Sequence, residues 1–245
     1  MNKLIFLLLI LISPALYSQE FQQNLIAWWN FDDSTAADMS GHNYHGLLVN
    51  TPVPVKGIQN TAMRFEGVGF EGDRGDYVKL PRIPFDQMQE FTITMWVCHE
   101  DVSYNGGIGY FFYGNHSIGW LGILNHIDPD KPSWQLNLQF ATGSAYNYLI
   151  YPLFYAFDYH TKSRWVFYAM TVANGKMTAY VDGSQVGQLD QPVSVAEQTN
   201  NVATNSACLA CHYWNAYSSK HIATRFFGMI DDVRIYNKAL TEEEI

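Results

Sequence analysis

Trp165-Val-Phe-Tyr-Ala-Met-Thr-Val-Ala-Asn-Gly-Lys-Met-Thr-Ala-Tyr-Val-Asp-Gly-Ser-Gln-Val-Gly187 is the stretch from which the fold is read. Residues 165–172 are mostly aromatic, β-branched or small, a mixture that suits a pleated, half-buried surface. Asn174-Gly175 follows, residues 176–181 return, and Asp182-Gly183 turns the chain again into residues 184–186. A two-residue type I′ hairpin turn needs positive φ at both central positions, and Asn-Gly and Asp-Gly reach it at little cost. The spacing predicts a three-stranded antiparallel meander.

Strand-like segments continue outward from it, at residues 27–31, 61–65, 77–80 and 91–97. In the last, Phe91, Ile93, Met95 and Val97 fall at period two, opposite Thr92, Thr94 and Trp96. Both faces of that strand look covered, as in a sandwich. Helical spacing is absent except at Thr241-Glu-Glu-Glu244, which looks like a capping box opening a helix. With no linker, repeat or low-complexity tract, one all-β domain over residues 19–245 is the simplest partition.

Composition agrees with this reading and narrows the function. Of 245 residues, 16% are aromatic and 15% charged, which excludes a disordered chain or a coiled coil. The formal charge of −9 argues against nucleic acid, which needs a basic surface. At the start, Lys3 precedes an apolar run over residues 4–12, then Ser13-Pro14 and the small residues Ala15 and Ser18. That is the pattern of a secretory signal peptide over residues 1–18, cut before Gln19. The run is too short to span a bilayer, so the sequence predicts no membrane insertion. The expected location is secreted, periplasmic or at the cell surface.

Four ordered segments resemble the LamG-like jelly roll of the concanavalin A-like lectin/glucanase superfamily. They are Leu25-Ile-Ala-Trp-Trp-Asn-Phe-Asp-Asp33 with Asp38-Met-Ser-Gly-His-Asn-Tyr-His-Gly46; Ala62-Met-Arg-Phe-Glu-Gly67 with Asp76-Tyr-Val-Lys-Leu-Pro81; Phe91-Thr-Ile-Thr-Met-Trp-Val97 with the meander; and Phe227-Gly-Met-Ile-Asp-Asp-Val-Arg-Ile-Tyr236 onward. The resemblance implies an antiparallel two-sheet jelly-roll sandwich. In it the first and last strands lie side by side, and Trp29, Phe65, Trp96 and Trp165 are core aromatics between the sheets. Residues 105–161 depart from the compact family pattern, being long, aromatic and Gly-rich, and are expected to carry this protein's own specialisation.

Two features bear on ligands. Asp32, Asp38 and Asp231 are candidate ligands of a structural calcium, since hard cations gather carboxylate and carbonyl oxygens on loops and family members often hold calcium near these positions. Asp231 shares the alternation of Val233 and Ile235, an awkward place for an unpaired charge. The competing reading is Asx-turn chemistry. A glycan or other cell-surface ligand is the expected partner, with Tyr113, Asn115, Trp120, Trp134 and Tyr148 as the candidate residues. Aromatic rings stack on the apolar face of a sugar while amides orient its hydroxyls, though sandwich cores also consume aromatics.

Enzymatic and redox motifs are weaker. Relatives that cleave glucans carry Glu-x-Asp-x-x-Glu on a strand; Glu71-Gly-Asp-Arg-Gly-Asp76 ends in Asp and reads as a loop unable to pre-position a carboxylate pair. Its Arg74-Gly75-Asp76 tripeptide is the loop before a strand. Cys208-Leu-Ala-Cys211-His212 matches a haem-attachment string, but it falls where the family has a strand, whose odd spacing would point the two sulfurs apart. No haem is expected, leaving a small disulfide or buried free thiols. The expected function is an exported, non-catalytic carbohydrate- or surface-ligand-binding module. The alternatives are an adhesive interaction domain without sugar affinity and a divergent glycoside hydrolase.

Overall fold

A computed structural model describes residues 22–67, 75–100, 106–115, 119–127, 134–142, 145–152, 164–190, 207–214, 221–223 and 226–245. In chain order the strands are β1 (Leu25–Trp29), β2 (Leu47–Val49), β3 (Val53–Lys56), β4 (Thr61–Phe65), β5 (Tyr77–Leu80) and β6 (Phe91–His99). Next come β7 (Gly106–Asn115), β8 (Gly119–Ile127), β9 (Trp134–Thr142) and β10 (Ala145–Pro152). The meander supplies β11 (Trp165–Ala173), β12 (Lys176–Val181) and β13 (Ser184–Asp190). The remainder are β14 (Ala207–Leu209), β15 (His212–Trp214), β16 (His221–Ala223) and β17 (Gly228–Tyr236).

These strands form two antiparallel sheets and a small hairpin, β15 with β16. The eight-stranded sheet runs β13-β12-β11-β6-β17-β4-β3, with β1 also paired to β17. The seven-stranded sheet runs β10-β9-β8-β7-β14-β5-β2. Within residues 105–161, expected to carry this protein's own specialisation, β7, β8, β9 and β10 pair antiparallel in succession and make four of the seven strands of this second sheet. Between the sheets lies one continuous core, in which Trp29, Phe65, Phe85, Phe91, Tyr110, Phe111, Tyr113 and Tyr168 are all buried. Polar contact also joins the sheets through it. His99 of β6 shares a hydrogen bond with the Tyr110 hydroxyl of β7, and burial pushes the imidazole down to about 3, so it sits there uncharged.

The meander is as its turn residues require: Asn174 and Gly175 have φ of 50° and 70°, Asp182 and Gly183 of 50° and 81°. β1 and β17 pair side by side from Leu25↔Tyr236 to Trp29↔Val233. The outer edge of β1 is closed by a loop instead of a strand. The Met39 N–H donates to the Trp28 carbonyl at 2.7 Å, and the Trp28 N–H donates to Asp38 Oδ1 at 2.9 Å. A capped edge of this kind offers no ladder to another chain.

Period two decides which aromatics reach the core, and here two expectations need correcting. Val166, Tyr168, Met170 and Val172 face inward, so Trp165 and Phe167 must face out. Likewise Met95 and Val97 put Trp96 on the outer side of β6. Trp29 and Phe65 are core residues as expected, while Trp96 and Trp165 are half-buried on the outer face of the eight-stranded sheet. Strand parity, not aromatic character, decides the side on which these two tryptophans lie.

Asp231 is a third correction. A β-bulge between Asp231 and Arg234, with Asp232 at φ 49°, resets the alternation of β17. Ile230, Val233 and Ile235 therefore all reach the core, whereas Asp231 pairs with Trp96 and lies on the outer side. It is nonetheless only 1% exposed, because the turn between β3 and β4 covers it and donates the Ile58 N–H to Oδ2 at 2.9 Å.

Two smaller points concern the sequence motifs. Cys208 and Cys211 form a disulfide. The strand ends at Leu209, and Ala210 at φ 61° turns the chain so that the odd spacing no longer separates the sulfurs. At the other motif, the Thr241 N–H donates to Glu244 Oε2 at 2.8 Å, which is half of a capping box, but residues 242–244 make a turn instead of the expected helix.

Candidate functional site

Parity leaves the outer face of the eight-stranded sheet unusually rich in rings. Trp96 and Phe167 are cross-strand partners whose rings meet at 5.1 Å, and Trp165 follows one step along the same face. Tyr236 and Thr94 continue this surface on β17 and β6. Together with Gln59, Leu240 and Ile245 these residues line a groove of about 680 Å³, within the usual size range of small-ligand sites.

Ion pairs flank the rings. Arg234 grips Asp232 with Nε to Oδ1 at 3.0 Å and Nη2 to Oδ2 at 2.9 Å, and its guanidinium lies 4.9 Å from the centre of the Trp28 ring. The Trp28 indole N–H also donates to Asp232, at 2.6 Å, so the carboxylate is held from two sides. Across the groove Arg164 pairs with Asp182, whose second oxygen accepts the Phe167 N–H at 3.0 Å. The aromatic floor and the polar walls therefore hold each other in place. Such a surface can stack on an apolar ring face while offering donors and acceptors at its edges.

Of the residues expected to bind ligand, Tyr113 has a described side chain, and it does not line this groove. Tyr113 is 1% exposed and packs edge-on against Phe85 with ring centres 5.0 Å apart, which leaves no face for a sugar. For Asn115, Trp120, Trp134 and Tyr148 the backbone register is described and the side chains lie outside the described parts. Gly114 pairs with Trp120 and Asn115 with Gly119, at one end of the β7–β8 ladder; Tyr148 pairs with Gln139, which pairs with Gly122 two residues on from Trp120. Trp134 pairs with Ile127 at the far end of β8. At about 3.3 Å per residue that is about 23 Å from Trp120 along the strand, so the set does not converge on one place.

The carboxylates proposed for calcium are already engaged. Asp38 Oδ1 accepts the Trp28 and Ser40 N–H groups, each at 2.9 Å, and Oδ2 accepts the Tyr44 N–H and the Ser40 hydroxyl, each at 2.8 Å. Burial raises its pKa, but these bonds outweigh it and hold the carboxyl below the usual range. Asp32 accepts the Thr61 N–H and the Asn60 amide, and Asp231 the Ile58 N–H. Calcium needs six to eight oxygens around one point, and Asp38 already gives both of its oxygens to four protein donors. Among the described residues no three His, Cys, Asp or Glu side chains gather into a metal-binding group. The three aspartates fit the fixing of loops and do not fit a shared calcium site.

Residues 71–74 lie outside the described residues, and Asp76 is buried, accepting the Thr51 and Glu66 N–H groups at 2.9 and 3.0 Å. Among the described residues no helix is long and apolar enough to cross a membrane.

Asp231 gives this region a pH signature. Burial pushes its carboxyl up to about 6 despite the Ile58 N–H. The folded state then holds a proton that the unfolded chain, near 3.8, has released, so stability from this group is full below pH 4 and falls through pH 6. Two units correspond to about 3 kcal/mol at most. Urea midpoints should show Asp231→Asn gaining on the wild type as pH rises from 4 to 7; a constant gap would refute the assignment.

Two stacked antiparallel sheets in this strand order, with a ring-lined groove on one of them, define a jelly-roll sandwich of the lectin-like kind. The chain belongs to the concanavalin A-like lectin/glucanase superfamily: a laminin G family model of that description matches residues 71–245. A comparison with curated proteins finds no match. Among solved structures, the chain is similar to domain 4 of AbnA, a GH43 extracellular arabinanase from Geobacillus stearothermophilus in complex with arabinotriose. The TM-score is 0.63 at 19% identity, covering 90% of this chain and 96% of that one. It is also similar to the binding domain of botulinum neurotoxin DC in complex with SialylT, with TM-score 0.63, 14% identity and 91% coverage, and there it spans 50% of the other chain. The binding domain of Paraclostridial Mosquitocidal Protein 1 gives TM-score 0.63 at 15% identity, with 91% of this chain and 51% of that one covered. At such identities the likeness shows the fold.

The groove residues that the sequence reading missed are Phe167, Arg164, Asp182, Asp232 and Arg234. A signal for the first was present: Trp165 and Phe167 alternate with Val166 and Tyr168, and the better core formers are the second pair with Met170 and Val172. The ion pairs carry no such signal, because Arg164–Asp182 and Arg234–Asp232 depend on a turn and a bulge.

Proposed function

We propose that this chain is an exported, non-catalytic binding module that takes a glycan, free or on a cell surface, in the groove of the eight-stranded sheet. The observation carrying the reading is the floor of Trp96, Phe167 and Trp165 between two carboxylate-guanidinium pairs. Rings left half-exposed in a chain with ample core volume answer to a ligand more naturally than to packing. Support comes from the solved structures of similar fold, which include one carrying arabinotriose and one carrying SialylT. Residues 1–18 are proposed to direct export and to be removed.

Glycan-array screening followed by calorimetry tests the proposal. Trp165→Ala and Trp96→Ala should each weaken saccharide binding by about 30-fold or more, the size expected for a central aromatic anchor. Their melting temperatures should stay close to wild type, since both rings lie outside the core. If the folded protein binds no saccharide, the adhesive interaction domain takes its place; a likeness to the binding domain of botulinum neurotoxin DC in complex with rat synaptotagmin II makes a protein ligand the next one to try.

A further inference from the structure

We infer that the groove accepts neutral saccharides and excludes acidic ones such as uronates and sialosides; this rests on the carbohydrate-binding reading above. Recognition of a sugar carboxylate relies on a cation whose N–H groups are free to close on two oxygens. Both guanidiniums lining this groove are already closed on protein carboxylates, Arg234 on Asp232 through two bonds and Arg164 on Asp182. Neither acid is free to swing away. Asp232 also holds the Trp28 indole N–H, and Asp182 holds the Phe167 N–H.

A third lining carboxylate, Glu244, takes Lys238 Nζ at 2.7 Å and the Thr241 N–H at 2.8 Å. Each of the three lining carboxylates is therefore already matched by a cation of the protein, in a chain of formal charge −9. An entering carboxylate finds each of these cations already matched and gains a full ion-pair partner only by breaking an existing pair. A hydroxyl meets no such barrier. It both donates and accepts, so one hydroxyl can give its proton to a paired carboxylate and receive one from an unused guanidinium N–H. Walls built of closed Arg–Asp pairs thus suit a neutral polyol, with Trp96, Trp165 and Phe167 beneath its apolar face.

Calorimetric titration of the wild-type protein with neutral gluco-, galacto- and arabino-oligosaccharides, and with galacturonate oligomers and sialyllactose, tests the inference at low and high salt. At least one neutral series should bind with an affinity insensitive to salt and lost in Trp165→Ala. The acidic series should bind at least about tenfold more weakly. Asp182→Asn frees Arg164 while an asparagine still tolerates the φ of 50° at the turn; it should raise affinity for the acidic series about tenfold and make it salt-sensitive. An acidic saccharide that binds the wild type more tightly than its neutral counterpart, and loses that advantage in Arg164→Gln, overturns the inference and leaves a carbohydrate-binding groove. Absence of binding to every saccharide by the folded protein removes both.

Discussion

Gly228→Ala is expected to cost about 4 kcal/mol or more, enough to abolish a well-folded product at 37 °C. Gly228 opens β17 between two neighbours, opposite Phe65 of β4 and His99 of β6. Its φ is 153°, and a methyl group there would lie 2.2 Å from the Cys98 carbonyl oxygen and 3.0 Å from Phe226 Cζ. The oxygen belongs to the backbone of a central strand, so it cannot yield without pulling β6 from its ladder. Strain at the backbone and overlap in the core each cost about 1–3 kcal/mol, and here both act. Gly41→Ala separates the two effects. That residue also has a left-handed φ, 91°, yet nothing lies within 4 Å of an added methyl, so a loss of about 1 kcal/mol is expected. If thermal melts place Gly228→Ala within a few degrees of wild type, the close approach of β17 to β6 described here is wrong.

Asp38→Ala is expected to rank beside it, at about 4 kcal/mol. Three backbone N–H groups and a hydroxyl converge on this one carboxylate, which is 6% exposed. Bonds to a charged acceptor contribute about 1.5–3 kcal/mol each, reduced here because water can reach a loop that loosens. In a chain of this size such a loss lowers the melting temperature by about 8–16 °C. The damage should be local first: without Asp38 the edge of β1 is uncovered, and amide exchange at Trp28 should accelerate before global unfolding. Asp38→Asn keeps one acceptor oxygen and should lose about half as much. The pH dependence has a definite sign. The folded carboxyl sits below its unfolded pKa of 3.8, so its contribution is complete above that value and is lost as pH falls through the folded one. A wild-type melting temperature unchanged by chelator would agree with an aspartate that holds N–H groups; a fall on chelation would restore the calcium reading.

How much of this was legible beforehand differs by element. The meander was readable because Asn174-Gly175 and Asp182-Gly183 act within four residues, and the pairing of β1 with β17 followed from the ordered family resemblance. Trp96 shows where that legibility ends. Its alternation with Met95 and Val97 was plain, but choosing which face is the core requires knowing the partners on β11 and β17. Tyr113 shows the converse: a ring among glycines and asparagines looks like a ligand platform until Phe85 is found against it. Asp231 was placed by a period that the bulge at Asp232 interrupts.

What the sequence alone determined is the class of fold: short strands and type I′ turns, set by local backbone preference and period, and the jelly-roll arrangement implied by the resemblance of four ordered motifs to a known family. Tertiary structure decided everything that depends on partners distant in the chain. It sent two tryptophans outward, closed Cys208 on Cys211, and set backbone N–H groups against Asp32, Asp38 and Asp231. It also built the groove, from Gln59, β6, β11, the β12–β13 turn and β17, which no linear pattern joins. The physical reason is that strand periodicity specifies two faces without naming them, and only the packing of one sheet on another settles which face meets the core and which is left for a ligand.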